Sequence, residues 1–83
     1  MPAKIDETFT HKDPANYYTV AFSRHEFSLS PFETFGEAIV FARQEAAAGG
    51  IPFGNPAVII GTWVYSPNTP CAKVSYNGRV RYM

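Results

Sequence analysis

Residues Ala57 to Tyr65, AVIIGTWVY, are apolar on both faces that a strand would present, with Val58, Ile60 and Val64 on one and Ala57, Ile59, Trp63 and Tyr65 on the other. Such a strand belongs in the middle of a sheet. It needs a helix over one face and, over the other, a further layer, the N-terminal arm or a second subunit. A chain of 83 residues can supply only one core for this purpose, and its single cysteine, Cys71, cannot add an internal disulfide to it. The composition agrees with a folded domain. At 46% hydrophobic and 17% charged, the chain is too apolar and too weakly charged to stay disordered along its length.

The remaining elements follow from local pattern. The first sixteen residues, MPAKIDETFTHKDPAN, hold only Ile5 and Phe9 as large apolar groups and read as a flexible or loosely docked arm, leaving 17–83 as the domain. Tyr17 to Ser23 is β-branched and aromatic with alternating faces, a strand. Ser23 to Glu26 turns the chain, and Phe27 and Leu29 alternate with Ser28 and Ser30 as a short antiparallel return. Thr34 and Glu37 form a capping box, with Ser30-Pro31 as a competing helix start. Phe35, Ala38, Ile39, Ala42 and Ala46 then draw one apolar stripe, Phe41 lies at its margin, and Gly49-Gly50 ends a helix over Phe35 to Ala48. Ile51 to Pro56 is a loop with Ile51 or Phe53 under the helix end, and Ser66 to Pro70 is a second, rigid loop.

The register of the last hairpin decides which residues meet solvent. A two-residue Asn77-Gly78 turn would mix Ala72, Val74 and Tyr76 with Arg79, Arg81 and Met83 on one face. A three-residue loop, Tyr76-Asn77-Gly78, with Gly78 left-handed, pairs Val74 with Val80 and Ala72 with Tyr82 and separates the faces. Lys73, Ser75, Arg79 and Arg81 then share a polar face on which Lys73 stands opposite Arg81, a like-charge pair that structure alone does not require. The expected fold class is α+β: a single domain in the order β-β-α-β-β-β, an antiparallel sheet of about five strands with one long helix packed on it.

Zero formal net charge hides a polarised layout. Up to Glu45 the chain carries four basic and seven acidic side chains; from Ala46 onward it carries Lys73, Arg79 and Arg81 and no acid. That segregation favours a charged partner or head-to-tail association, against the plainer reading that three cations keep an edge strand soluble.

Reactive chemistry finds little support in the pattern. His11, His25 and Cys71 have no metal-ligand spacing, so no metal and no cofactor is expected. Cys71, beside Pro70, reads as a small buried hydrophobe rather than a nucleophile paired with His25, and His25-Glu26 reads as a solvated turn. Gly49-Gly50 follows a helix instead of preceding one, the wrong end for a phosphate loop. The chain is not expected to be an enzyme.

In layout, the strand YYTVAFS, the helix TFGEAIVFARQEAAAGG and the hairpin KVSYNGRVRY resemble small phage-encoded proteins, including anti-CRISPR inhibitors of host defence. The resemblance spans most of the chain and rests on architecture and size. It implies a monomer or small homo-oligomer that binds a host nucleoprotein complex in the host cytoplasm and blocks it by occlusion. The partner-binding residues, chosen from the charge argument, are Lys73, Arg79, Arg81 and Tyr76. Direct nucleic-acid binding, with basic strands on phosphates and Tyr76, Tyr82 or Trp63 stacked on bases, is the second expectation, set back by the small number of cations. A phage structural or self-assembling role is the third. No segment approaches the roughly 18 uninterrupted apolar residues of a membrane span, and Met1 to Asp13 has no signal-peptide core, so a cytoplasmic protein without membrane contact is expected.

Overall fold

The computed structural model describes residues 14–22 and 31–83. They form, in chain order, β1 (Tyr17–Ala21), α1 (Phe35–Ala47), β2 (Ala57–Thr62), β3 (Thr69–Val74) and β4 (Val80–Tyr82). The strands make one antiparallel sheet in the order β1-β2-β3-β4, and the helix lies across one of its faces, an α+β domain. Among the described residues the strands number four, against about five expected; the expected return over Phe27 to Ser30 lies outside them. Just beyond that segment, Phe32 and Tyr18 exchange backbone hydrogen bonds of 2.7 Å in both directions, which ties the chain to the outer edge of β1 before the helix begins. Of the expected arm, residues 1–13 also lie outside the described set. Ala15 is buried, its N–H donating to the Tyr18 hydroxyl at 2.9 Å, and the Asn16 N–H donates to the Thr62 carbonyl at 2.9 Å.

The helix starts where Thr34 takes an extended conformation and its hydroxyl oxygen accepts from the Glu37 N–H at 3.2 Å. The Glu37 carboxylate in turn accepts from that hydroxyl at 3.2 Å. This satisfies an orphan donor of the first turn. The competing start at Ser30-Pro31 is not used, since Phe32 is held by β1. At the other end the Gly49 N–H donates to the Ala46 carbonyl and the Gly50 N–H to the Glu45 carbonyl, a Schellman pair that stops the helix at Ala47.

The expected stripe of Phe35, Ala38, Ile39, Ala42 and Ala46 is buried against Tyr18 and Val20 of β1, Ala57 and Ile59 of β2, and Ala72 and Val74 of β3. Tyr18, Val20, Ile39, Ile59 and Val74 are fully enclosed, each contributing roughly 1.5–3 kcal/mol by removal from water. The Phe35 ring meets Tyr18 edge-on and stacks on Tyr82 of β4, both at 5.6 Å between centroids. Phe41 closes the margin of the stripe against Phe22 and Phe32. Ile51, not Phe53, tucks under the helix end. On the outer face of the sheet Val58 and Ile60 are half-buried, Val58 between Ala21 and Lys73 and Ile60 between Thr19 and Pro70 in the cross-strand rows.

Two strand boundaries differ from expectation. β2 ends at Thr62 rather than Tyr65, because Trp63 and Ser66 exchange backbone hydrogen bonds of 3.0 and 3.3 Å and fold the chain back around Val64 and Tyr65. Both turn residues stand in solvent, Val64 at 90% exposure. β3 begins at Thr69, inside the expected loop, and runs through Pro70. Proline is tolerated there because it lies at a register shift and two residues beyond Ala72, where the pairing with β4 begins.

Candidate functional site

The β3–β4 hairpin adopts the three-residue loop. Ala72 pairs with Tyr82, Lys73 with Arg81 and Val74 with Val80, and the Ser75 N–H donates to the Arg79 carbonyl at 2.9 Å. Gly78 makes the loop close: its φ of +83° is a left-handed conformation that side-chain-bearing residues resist, and its N–H donates to the Ser75 carbonyl at 2.9 Å. The Asn77 side-chain carbonyl accepts from the Arg79 N–H at 3.1 Å, which stiffens the bend. Because the strands alternate, Lys73, Ser75, Arg79 and Arg81 all project from the outer face, away from the helix.

The antiparallel register also brings a distant loop to this end of the sheet. Ala57, the first residue of β2, stands opposite Val74, so the preceding segment from Pro52 to Pro56 lies beside the β3–β4 turn. Between them opens a groove of about 660 Å³ lined by Pro52, Gly54, Pro56, Ser75, Tyr76, Asn77, Arg79 and Arg81. The Phe53 ring meets the Tyr76 ring at 5.0 Å between centroids in an edge-to-face contact, with Phe53 80% exposed. None of the lining residues is acidic, and among the described residues Lys73, Arg79 and Arg81 form no ion pair with any carboxylate. A guanidinium fork binds carboxylate or phosphate through two parallel hydrogen bonds, and exposed aromatic faces accept planar groups. The groove therefore has the chemistry to hold an anion that carries an apolar or planar portion.

Three of the four residues singled out from the sequence, Tyr76, Arg79 and Arg81, meet in this groove. Lys73 does not line it; it stands on the outer face opposite Arg81. Sequence reasoning missed the wall of Pro52, Gly54 and Pro56 and the Phe53 ring that packs on Tyr76 beside it. Their signal was the strand register, which puts the loop before β2 and the turn after β3 at one edge. Arg43 of α1 approaches the same turn from the helix side, its Nε 3.9 Å from where a Gly78 Cβ would stand.

Elsewhere, Cys71 is buried beneath Gly61, its thiol 3.3 Å from the Thr69 carbonyl. Among the described residues no three His, Cys, Asp or Glu side chains gather as metal ligands, and no helix is long and apolar enough to cross a membrane. No protein-family model, curated protein or solved structure matches the chain.

Proposed function

We propose that this protein is a non-enzymatic interaction module that works by occlusion, seating its cationic groove on an acidic surface of a protein partner. The observation that carries the reading is the pair Arg79 and Arg81, exposed on one wall of the groove and without an ion-pair partner among the described residues, beside the aromatic contact of Phe53 with Tyr76. Arg and Tyr are the residue types that dominate binding hot spots, and the groove gives them a rigid setting. The resemblance in layout to phage-encoded inhibitors of host defence makes a host nucleoprotein complex the partner class, with the protein acting as a monomer or small homo-oligomer in the cytoplasm. Direct nucleic-acid binding is the second reading, supported by the aromatic rings beside the guanidiniums.

The triple variant Lys73→Glu, Arg79→Glu, Arg81→Glu tests the first reading. All three side chains are exposed, so far-UV circular dichroism should show native structure. Native protein should be retained on immobilised poly-glutamate at about 0.1 M salt, where the Debye length is roughly 10 Å, and the variant should pass through. Equal passage of both folded proteins removes the basis for an acidic docking partner.

A further inference from the structure

The size and charge of the groove narrow what can occupy it. We infer that it is a site for a single nucleotide unit bearing a terminal phosphate, with the phosphate between Arg79 and Arg81 and the base laid against Tyr76, whose ring Phe53 backs from beside the groove. The inference rests on the reading of the groove as a binding site and names a second occupant for it, one that would compete with the acidic protein surface.

Charge balance is the first argument. Arg79 and Arg81 are two residues apart on one strand face, a step of about 6.7 Å, and both line the groove. A terminal phosphate carries about −1.5 to −2 charges at neutral pH and offers three acceptor oxygens, so it can engage both forks. A small ligand with a single carboxylate leaves one guanidinium uncompensated. The Ser75 hydroxyl and the Asn77 amide nitrogens add neutral donors on the same wall; the Asn77 carbonyl oxygen is already turned inward to the Arg79 N–H.

Shape is the second. Cavities for small ligands fall at roughly 300–1,000 Å³, and this groove, at about 660 Å³, suits one nucleotide. Tyr76 is the aromatic lining residue and is 46% exposed; Phe53 braces it edge-to-face from beside the groove, and an exposed ring of this kind stacks on any base. Pro52 and Pro56 complete an apolar wall that costs little ordering entropy when a ligand binds.

Cation count is the third. A protein that tracks a nucleic-acid backbone neutralises many phosphates with many cations, whereas the chain from Ala46 onward carries only three. Two guanidiniums in a groove match one phosphorylated end. Two sources share this chemistry, a free nucleotide and the 5′-phosphorylated end of a single strand.

Amide chemical shifts of Tyr76, Asn77, Gly78 and Arg79 in the full chain read the site directly. The probes are AMP, adenosine, inorganic phosphate, and a short oligothymidylate with either a 5′-phosphate or a 5′-hydroxyl. AMP and the 5′-phosphorylated strand should shift these amides saturably, with adenosine, inorganic phosphate and the 5′-hydroxyl strand at least tenfold weaker. Arg79→Gln with Arg81→Gln should weaken AMP at least tenfold, and Phe53→Ala should weaken AMP several-fold while leaving inorganic phosphate unchanged. A phosphorylated strand that binds at least tenfold tighter than AMP identifies a strand end as the ligand; comparable affinities identify the free nucleotide. No saturable shift with either, adenosine as tight as AMP, or a 5′-hydroxyl strand as tight as its phosphorylated form overturns the site. Retention on poly-glutamate alongside silent nucleotide titrations would leave the docking function standing and remove this ligand alone.

Discussion

Gly61 has no room for a side chain. A Cβ there would stand 2.9 Å from the Trp63 ring, closer than real Cβ contacts come, and 3.0 Å from the Cys71 sulfur, a tight contact that one of the two must relieve by shifting. Gly61→Ala should therefore destabilise the fold by roughly 1–3 kcal/mol, more than the few tenths to 1 kcal/mol gained by stiffening the unfolded chain. Urea titration measures this, and an unchanged midpoint would mean that the indole swings aside freely. The sulfur below Gly61 is constrained as well. Burial pushes the Cys71 thiol above its ordinary pKa, with a weaker downward pull from a backbone hydrogen bond to Gly61. Folding thus favours the neutral thiol. Its contribution is intact below the unfolded-chain value of roughly 8.5 and is lost as pH climbs past it, because only the unfolded chain then ionises readily. Alkylation by iodoacetamide near pH 8 should be slow in the native protein and fast in denaturant; rapid native labelling would contradict the enclosed position.

At the scale of elements, the β3–β4 hairpin keeps a conflict in its own ladder. Lys73 and Arg81 are directly opposite and both exposed. Replacing Lys73 by Glu converts a repulsive cross-strand pair into an attractive one and should raise stability by about 0.2–1 kcal/mol, read as a higher thermal midpoint. A lower midpoint would mean the two charges do not meet. The turn and register of this hairpin were legible in the sequence, because Gly78 fits only one position of the bend and only one register separates Val74 and Val80 from the cations; the start of β3 at Thr69 was not. The helix was legible for a similar reason, with Thr34 and Gly49 marking its ends. The end of β2 was not. Alternation of apolar residues continues through Tyr65, and the turn at Val64-Tyr65 contains none of the glycine, asparagine or aspartate that usually announces a reversal. What stops the strand is the backbone exchange between Trp63 and Ser66, one residue past the last pair with β1, Tyr17 with Thr62. Phe53 was equally hidden: Ile51 and Phe53 are both apolar residues near a helix end, and only the packed structure shows that the core admits the first and leaves the second against Tyr76.

Across the whole molecule the antiparallel sheet separates two ends. The loop from Pro52 to Pro56 and the turn from Ser75 to Arg79 gather at one, and the turn around Val64 and Tyr65 forms the other, with β2 and its six residues, about 20 Å, between them. The three cations that follow Ala46 belong to the first end or lie within one strand of it. The single tryptophan belongs to the second, its ring beside Gly61 and Cys71. Indole emission will consequently follow loss of the native packing while standing a sheet's length from whatever enters the far cleft, so the conformational equilibrium of this small protein can be followed separately from its occupancy.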